Sequence, residues 1–461
     1  MPAETVIVGG GISGLATAYY LGRHGISSTI IEKASRLGGL VKTDLIQGCR
    51  LEAGPDSYVA SKPSVTELAR DLGGMAGEII EPNHRMRRVF ILRDGKLVPM
   101  PPGMVMMVPG QWGPVLRSNL FSIGTKLRLL AEPFSRPRSR PNDVSAGELI
   151  EEHFGREILD YIAEPLLCGV YGGRASDLSA ASVLPRFLGY EQKYGSLISG
   201  VRANAAPKGK ERALFLSFRN GMQQLTDGLD DAVRGHSRII VQTEVTAVSR
   251  TNKGWRIEAG GHSTLAPHLV MACPSHVCAR LLQNVTPELA AELDGIPYSS
   301  ATLVTLVFDR RELRHPLNGF GFLVPEKERR VVAAATWIST KFPSRIPSHL
   351  AAVRGFIVGA QAQDAMTESE ENLVETVKDE FRRIMGVQAV PLFSTVHKLP
   401  ASMPQYVVNH LDRLARIYTQ LAQLEGLHLV GNAYEGVGIP DCVRLAKDTA
   451  DRIANLQNSS C

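Results

Sequence analysis

The chain begins with a pattern of apolar and polar positions that predicts a β-α-β unit. Residues 5–8 (TVIV) are β-branched and mostly apolar, as expected of a buried parallel strand, and residues 29–31 (TII) have the same character. Between them, apolar or small residues recur with helical spacing, at Leu15, Ala18, Tyr19 and Gly22. The start of the chain therefore predicts a strand, a helix and a second strand.

Similar patterns return in the middle and at the end of the chain. After Asn220 a helical face is predicted, followed by two alternating segments that we interpret as a hairpin (238–250 and 254–260) and by a further strand in 268–274. Residues 426–453 predict a strand, a Gly-rich turn and a helix. The two helical faces consist of Met222, Leu225, Leu229 and Val233, and of Val443, Ala446, Ala450 and Ile453.

Two long insertions separate these segments. Residues near 85–210 are predicted to be largely helical with proline breaks, whereas residues near 280–400 contain the strand patterns 301–309 (ATLVTLVFD) and 353–360 (VRGFIVGA). The second insertion then predicts a helix whose inward face is Val374, Val377, Phe381 and Ile384.

The first turn contains G-x-G-x-x-G at Gly9, Gly11 and Gly14, between the predicted strand and helix. In this context the glycines serve a tight turn, close approach of backbone N–H groups to a pyrophosphate, and close helix–strand packing. Glu32 ends the second strand, where a carboxylate can accept both ribose hydroxyls. The motif predicts a site for NAD or FAD rather than NADP.

Two glycine turns favour FAD over NAD. Residues 33–43 (KASRLGGLVKT) place Gly38 and Gly39 where a simple Rossmann unit would begin its next helix, and residues 51–59 (LEAGPDSYV) form a second turn. These segments resemble the extended FAD site of glutathione-reductase-type flavoproteins, especially the amine oxidase and porphyrinogen oxidase group. Two ordinary surface turns are the alternative.

Composition limits the other classes of function. The 461 residues, 44% of them hydrophobic, can bury a large core in two or three domains. The six cysteines form no C-x-x-C pair and the histidines show no ligand spacing, so we predict neither a disulfide framework nor a metal site. The net charge of +5 without a clustered basic face or binding motif argues against nucleic acid. We interpret the basic segment 136–141 (RPRSRP) as a solvated loop without a function.

The expected location is cytoplasmic. No basic region and apolar core precede the first strand, and no run of eighteen apolar residues occurs, so we expect neither a signal peptide nor a membrane span. Residues 97–116 (LVPMPPGMVMMVPGQWGPVL) are apolar and methionine-rich, but their prolines forbid a long helix. This stretch is either a buried irregular loop or a lip for substrate access or for peripheral contact with the inner face of the membrane.

Three later segments carry a more specific resemblance. Residues 164–179 (EPLLCGVYGGRASDLS), 403–414 (MPQYVVNHLDRL) and 431–442 (GNAYEGVGIPDC) resemble the oxygen-dependent protoporphyrinogen and coproporphyrinogen oxidases of haem synthesis. The similarity runs from the first strand to the last helix. Amine oxidases usually attach their flavin to a cysteine near the C-terminal motif, whereas Cys442 lies within the following helix, so we expect non-covalent FAD.

The resemblance implies an α/β fold in which a discontinuous Rossmann-like FAD-binding domain is combined with a substrate domain containing a β-sheet and with a helical subdomain. We assign residues 1–80, 211–280 and 401–461 to the FAD domain. Residues 281–400 with part of 81–110 form the predicted substrate domain, and residues 111–210 form the helical subdomain.

The same resemblance supplies candidate cofactor-binding residues. They come from the first turn, the end of the second strand, the two glycine turns, the middle segment and the C-terminal motif: Gly9, Gly10, Gly11, Ile12, Ser13, Gly14, Leu15, Glu32, Lys33, Gly38, Gly39, Leu40, Gly54, Pro55, Asp56, Ser57, Val245, Gly431, Asn432, Val437, Gly438 and Ile439. Pro440 follows near the first turn of the last helix, whose N-terminus would place partial positive charge by flavin N1 and C2=O.

Candidate substrate contacts are Gly169 and Tyr171, with Gly172 and Gly173 in the same glycine segment. Family members carry a propionate-anchoring arginine near residue 89; here Arg88 is one residue early and Val89 occupies the expected position. Arg88 is therefore either the anchor or a solvated surface residue.

The implied reaction removes six electrons from a porphyrinogen in three two-electron steps, with FAD as the reagent, molecular oxygen as acceptor and hydrogen peroxide as product. No side-chain base is required, since pyrrole protons can leave to solvent. The choice between protoporphyrinogen IX and coproporphyrinogen III stays open, as does hand-over of product to the next haem-pathway enzyme. The alternatives are another flavin oxidase of this superfold, either an amine oxidase or a carotenoid-type desaturase, and a non-catalytic binding protein such as a Rab GDP-dissociation inhibitor.

Overall fold

The computed structural model describes residues 5–205 and 213–459. The strands in chain order are β1 (Thr5–Val8), β2 (Ser28–Ile31), β3 (Thr43–Ile46), β4 (Cys49–Glu52), β5 (Tyr58–Val59), β6 (Ile79–Ile80), β7 (Val89–Arg93), β8 (Lys96–Pro99), β9 (Met104–Val105), β10 (Val108–Pro109), β11 (Phe215–Phe218), β12 (Ser237–Ile240), β13 (Val245–Thr251), β14 (Gly254–Ala259), β15 (His262–Ala266), β16 (His268–Met271), β17 (Tyr298–Asp309), β18 (Gly321–Leu323), β19 (Ala334–Trp337), β20 (Leu350–Ile357), β21 (Phe393–Pro404) and β22 (Leu427–Leu429).

The helices in chain order are α1 (Ile12–Arg23), α2 (Ser64–Asp71), α3 (Trp112–Arg117), α4 (Ile123–Ala131), α5 (Ala146–Phe154), α6 (Arg156–Ile158), α7 (Glu164–Tyr171), α8 (Ala180–Val183), α9 (Pro185–Tyr194), α10 (Leu197–Ala203), α11 (Gln223–Val233), α12 (Ser275–Leu282), α13 (Pro287–Asp294), α14 (Ile338–Lys341), α15 (Ala362–Thr367), α16 (Glu370–Met385), α17 (His410–Leu421) and α18 (Ile439–Ser459). Among these described helices, none combines the length and apolar character that crossing a membrane requires.

A five-stranded parallel sheet collects strands from three separated parts of the chain, in the order β12-β2-β1-β16-β22. β1 pairs with both β2 and β16, and β22 from near the C-terminus completes the edge beside β16. Helix α1 packs against α18 and α11. The apolar faces predicted for α11 and α18 are buried in this core. The α/β fold class is confirmed.

One strand prediction is wrong in detail. Residues 238–250 do not form a single strand: β12 joins the parallel sheet, whereas β13 pairs with β14 in a separate three-stranded antiparallel sheet. Gln242 between them has a left-handed φ of 53°, which ends the extended run. Alternation continues across this break, so the hydrophobic pattern could not reveal it.

The second large sheet has seven strands in the order β21-β17-β20-β19-β18-β7-β8. The strands predicted in 301–309 and 353–360 are its centre, β17 and β20. Helix α16 covers one face with Val377, Phe381 and Ile384 buried, while Val374 is only half-buried. Strands β7 and β8, which precede the helical region in sequence, form one edge of the sheet.

Helices α3 to α10 pack around a separate apolar core, and a π-helical turn over residues 159–163 joins α6 to α7. The interpretation of 136–141 as a solvated loop is wrong for Arg140, whose guanidinium donates two hydrogen bonds of 2.7 Å to the buried carboxylate of Glu191. The stretch 97–116 includes the β9–β10 hairpin, in which Met107 and Val108 are buried and Met106 is exposed.

Candidate cofactor and substrate site

The three motif glycines lie at the carboxyl end of β1 and have different surroundings. A Cβ at Gly9 would lie 2.8 Å from the Ala272 carbonyl oxygen, and one at Gly14 would overlap the Gly9 carbonyl oxygen. Gly9 also has a φ of 109°. At Gly11 the nearest atom to an added Cβ is the Gly39 Cα, 3.9 Å away. Gly9 and Gly14 therefore serve the turn and its packing, while Gly11 borders open space.

That space lies at the N-terminus of α1. The helix begins at Ile12, and no side chain caps it at Gly11. The Gly38–Gly39 turn lies alongside, with a bridge between Gly11 and Gly38. Unpaired N–H groups and the positive end of the helix dipole at a side-chain-free surface fit a pyrophosphate. The described residues thus form a cradle suited to a dinucleotide.

Arg36, which sequence reasoning overlooked, holds the Gly38–Gly39 turn in place. Its guanidinium donates to the carbonyl oxygens of Leu37 at 2.8 Å and Val41 at 3.2 Å. Burial lowers the pKa of Arg36. Its position just before a Gly-Gly pair was the available signal in the sequence.

Glu32 follows β2 and points its carboxylate at the first turn. Oε2 accepts a 2.6 Å hydrogen bond from the Gly10 N–H, and Oε1 accepts one of 2.7 Å from the Ala34 N–H. These contacts fix the carboxylate beside the proposed pyrophosphate cradle. Lys33 instead forms an exposed ion pair with Glu244, next to the buried Val245 at the start of β13.

The second glycine turn packs directly on the first. A Cβ at Gly54 would overlap the carbonyl oxygen of Leu40, so Gly54 permits contact between the two predicted cofactor segments. The adjoining Asp56 carboxylate accepts hydrogen bonds from Lys341 at 2.9 Å and Arg354 at 2.8 Å, and also from the Ser57 hydroxyl at 2.6 Å. A cofactor role for the Asp56 and Ser57 side chains stays a prediction.

Asp56 belongs to a buried ion-pair cluster that connects the glycine turn with the seven-stranded sheet. Arg345 pairs with Glu52 at 2.9 Å, and Arg354 donates to the carbonyl oxygens of Glu52 at 3.0 Å and Gly54 at 3.1 Å. Burial raises the pKa of Glu52 despite its arginine partner. Burial also opposes ionisation of Asp56, but Lys341 and Arg354 together hold its pKa well below the usual range.

The C-terminal motif forms a turn that ends at α18. Gly436 has a φ of 135°, and a Cβ there would overlap the Asp441 carboxylate. Lys62 donates to both oxygens of that carboxylate at 2.7 Å. Cys442 in the first turn of α18 is buried, and burial raises its pKa to about 11. A buried, protonated thiol is poorly suited to covalent attachment of a flavin.

The structure brings the three segments of the family resemblance together through two neighbouring residues. The Tyr406 hydroxyl donates to the Asn432 carbonyl at 2.7 Å and accepts from the Gly436 N–H at 2.9 Å. Gln405 donates through Nε2 to the Tyr171 carbonyl and to the Ser299 hydroxyl. The segments 164–179, 403–414 and 431–442 therefore meet at one place, beside the N-terminus of α18.

The glycines of 169–173 separate into two groups. A Cβ at Gly169 would meet no atom within 4 Å, whereas one at Gly172 would overlap the Ser299 hydroxyl and one at Gly173 would overlap the Gln405 side chain. Tyr171 is half-buried, and burial raises its pKa to about 12. Gly169 is thus the position that borders open space, while Gly172 and Gly173 allow close packing.

Arg88 directly precedes β7 and is exposed. Its carbonyl oxygen accepts a 2.7 Å hydrogen bond from the Phe320 N–H. A contact between its side chain and a substrate stays a prediction.

Two of the six cysteines, which form no C-x-x-C pair in the sequence, are neighbours in the structure. Cys273 follows β16 beside Gly9, and Cys278 lies in α12; their Sγ atoms are 3.5 Å apart. Their C-x-x-x-x-C spacing was visible in the sequence and was missed. Both are free thiols, and the hydrogen bond to Cys278 together with burial raises the pKa of Cys273.

Comparison with known proteins decides the family. The family model described as flavin containing amine oxidoreductase matches residues 12–454. The chain belongs to this family. The prediction that the protein is an FAD-dependent oxidoreductase is confirmed.

Three relatives show where the chain lies within the family. It is 30% identical to a coproporphyrinogen III oxidase of Bacillus subtilis, over 96% of each chain. It is 26% identical to a mitochondrial protoporphyrinogen oxidase of Nicotiana tabacum, over 99% of this chain and 95% of the relative. The crystal structure of a putative protoporphyrinogen oxidase from Exiguobacterium sp. 255-15 superposes with a TM-score of 0.89 at 31% identity, covering 98% of this chain and 99% of that one. The predicted resemblance is confirmed.

Proposed function

We propose that this protein is an FAD-dependent oxidase that converts coproporphyrinogen III to coproporphyrin III with molecular oxygen, releasing hydrogen peroxide. The observation that carries the proposal is the meeting of the three porphyrinogen-oxidase segments beside the N-terminus of α18, through Gln405 and Tyr406. Full-length similarity to named porphyrinogen oxidases supports it.

FAD, when bound, supplies the redox chemistry by accepting electron pairs from the substrate. The chain's own residues supply binding and orientation. The uncapped start of α1 and the open side of Gly11 hold the pyrophosphate, and Glu32 holds the ribose. The N-terminus of α18 would direct its partial positive charge towards the flavin ring, on which negative charge develops during reduction.

We place the substrate beside Gly169, which is exposed and at which an added Cβ would meet no atom within 4 Å. An apolar slot can hold a macrocycle in near-attack geometry, which lowers the entropic part of the barrier. Tyr171 and Tyr406, with ring centroids 6.3 Å apart, close one side of this region. Burial raises the pKa of both tyrosines, so they remain neutral and serve as walls rather than as bases.

Coproporphyrinogen III, which carries four propionates, is preferred over protoporphyrinogen IX because the chain is mildly basic: its net charge of +5 favours the more acidic substrate. Sequence identity does not separate the two substrates. Coproporphyrinogen III oxidases of Bacillus subtilis and Staphylococcus aureus match at 30% and 28% identity, a chloroplastic protoporphyrinogen oxidase of Arabidopsis thaliana at 28%, and the Exiguobacterium structure at 31%.

The proposal places the enzyme in the cytoplasm with a peripheral membrane contact, from which product passes to the next haem-pathway enzyme. Its support is an exposed apolar face on α4 and the turn that follows, formed by Ile123, Leu127 and Phe134, with Lys126 on the same helix. Apolar side chains flanked by cations suit an anionic lipid surface. Sedimentation with phosphatidylglycerol vesicles tests this contact, and Leu127→Ser with Phe134→Ser should abolish it.

The activity is tested by an aerobic assay of both porphyrinogens. We expect porphyrin fluorescence and peroxide to rise together, with a higher kcat/KM for coproporphyrinogen III. Turnover of simple amines instead would favour an amine oxidase, and a protein without flavin would favour a binding protein.

A further inference from the structure

Arg329 is a half-buried arginine that forms no ion pair within the described part of the chain. Its Nε and Nη2 donate to the Val324 carbonyl at 3.3 and 3.1 Å, and Nη1 donates to the Cys168 Sγ at 3.4 Å. No carboxylate oxygen of the described residues lies within 4.0 Å of it. Its charge is therefore held by neutral acceptors, one of which is a sulfur, a weak acceptor.

The contrast with other buried arginines is sharp. Arg345 and Arg354 each face a carboxylate at less than 3 Å. The acids nearest to Arg329 have other partners: Glu164 accepts from the Ala175 N–H at 2.7 Å, and Glu326 pairs with Arg174 at 3.5 Å. Burial also raises the pKa of Glu164, which weakens its competition as an anion. Arg329 is a partly desolvated guanidinium whose Nη1 donates only to a sulfur, and such a group is suited to bind the anionic group of a ligand.

The position of Arg329 relates it to the proposed substrate slot. Cys168, which it contacts, directly precedes Gly169, where the space is open. Gly359 keeps this junction clear, because a Cβ there would lie 3.3 Å from the Cys168 Sγ and 3.5 Å from Nη1 of Arg329. The guanidinium therefore contacts α7 at the residue that precedes Gly169 in sequence.

The side chains that surround Cys168 are mostly small and apolar. Cys168 packs in a cluster with Ala301, Ala333 and Val358, and Leu399 and Met403 lie against it. These residues come from β17, β21 and the ends of β19 and β20, which are neighbours in the seven-stranded sheet.

We propose that Arg329 binds a propionate carboxylate of the porphyrinogen at this end of the slot. The inference rests on the proposed function and names the anchor that the substrate requires. In binding, Nη1 exchanges its thiol acceptor for a carboxylate oxygen, and the planar guanidinium orients the macrocycle whose ring lies along the apolar wall.

The test compares Arg329→Met and Arg329→Lys with Arg330→Met, a matched control that removes the neighbouring exposed arginine. Two readouts are needed: KM and kcat for coproporphyrinogen III, and the dissociation constant of the product coproporphyrin III, measured by quenching of its fluorescence. Coproporphyrin III tetramethyl ester, which has no carboxylates, is the ligand control. Flavin content and melting temperature are recorded for each variant.

We expect Arg329→Met to raise KM and the coproporphyrin III dissociation constant roughly 10- to 100-fold, the loss of one charge-assisted contact. Arg329→Lys should restore part of the affinity, and the ester should bind wild type and Arg329→Met alike. Arg330→Met should remain at the wild-type values. Flavin content should be unchanged throughout.

Three results would overturn the inference. The first is a coproporphyrin III dissociation constant of Arg329→Met within two-fold of wild type. The second is an equal weakening of coproporphyrin III and tetramethyl ester binding in Arg329→Met. The third is weaker coproporphyrin III binding in Arg88→Met but not in Arg329→Met. If wild type binds coproporphyrin III but oxidises neither porphyrinogen, the proposed function fails while the anchor is still decided by binding. If wild type binds no porphyrin, both fail.

Discussion

Replacing Arg354 by methionine tests whether the buried ion-pair cluster fixes the second glycine turn. Arg354 is almost completely buried and makes three contacts to this turn: one with the Asp56 carboxylate at 2.8 Å and two with the carbonyl oxygens of Glu52 and Gly54. Methionine approximates the aliphatic stem of arginine but removes the charge and all donors.

The expected loss follows from these contacts. Breaking one partner of a buried pair costs about 3–5 kcal/mol, because an incompletely compensated charge stays behind. Asp56 keeps Lys341 at 2.9 Å, which reduces the penalty, but two buried carbonyl oxygens lose a charged donor, at about 1–3 kcal/mol each when unsatisfied. We therefore expect Arg354→Met to lower the free energy of unfolding by about 3–5 kcal/mol and to weaken FAD retention.

A double-mutant cycle with Asp56→Asn isolates the pair. Urea unfolding is followed by circular dichroism and by the rise in fluorescence of released FAD, and the coupling energy between positions 56 and 354 should be about 1–3 kcal/mol. The control is Arg311→Met, which breaks the exposed pair with Asp309 and should leave the free energy of unfolding close to the wild-type value. The reasoning is refuted if Arg354→Met costs less than about 1 kcal/mol or if the two substitutions are additive.

The cluster also has a defined pH dependence. The pKa of Asp56 is lower in the folded protein than in the unfolded chain, where it is about 3.9. Its stabilising contribution is therefore complete above that value and is lost only as the pH falls through the folded pKa. Asp56→Asn should consequently lower stability near neutral pH more than in strong acid.

Three further results are expected. Gly11→Val should fold but bind no FAD, because its side chain would extend only into the cradle, whereas Gly14→Val should fail to fold. Circular dichroism measures folding and flavin absorbance measures FAD content, so the two variants can be distinguished. Full flavin content in Gly11→Val would refute the assignment of the cradle. Tyr406→Phe removes the hydroxyl that donates to the Asn432 carbonyl and should weaken FAD binding by about 1–3 kcal/mol, measured by titrating the apoprotein. Burial lowers the pKa of His428 to about 3, so stability should fall as the pH drops from about 6.5 towards 3; in His428→Leu this part of the slope should disappear.

The elements of the nucleotide sheet could be predicted because their signals are local. A β-branched run, a glycine turn and a helical face each occupy adjacent residues, as in β1, Gly9 to Gly14 and α1. The strand break at Gln242 could not be predicted, since a left-handed φ at a non-glycine residue leaves no trace in the hydrophobic pattern.

The glycine pattern of residues 169–173 could not show which of these glycines border open space. All glycines of 169–173 look alike in sequence, and only their surroundings show that Gly169 borders open space while Gly172 and Gly173 serve packing. Cofactor contacts of the other candidate residues remain predictions.

Long-range charge partners were beyond the sequence. Asp56 and Arg354 are 298 residues apart, and no local spacing relates them. The same holds for Arg329 and Cys168, which are 161 residues apart. The Cys273–Cys278 pair is different, because its members are only five positions apart and the spacing could have been recognised.

The most direct test of the proposed function is an anaerobic mixing experiment with the purified holoprotein. Coproporphyrinogen III is mixed with the enzyme without oxygen, and the visible absorbance of the flavin is followed by stopped flow; oxygen is then admitted and porphyrin and peroxide are quantified. We predict rapid bleaching of the flavin followed, on aeration, by porphyrin formation with three peroxide molecules per porphyrin. A flavin that stays oxidised in the presence of coproporphyrinogen III and protoporphyrinogen IX would contradict the account.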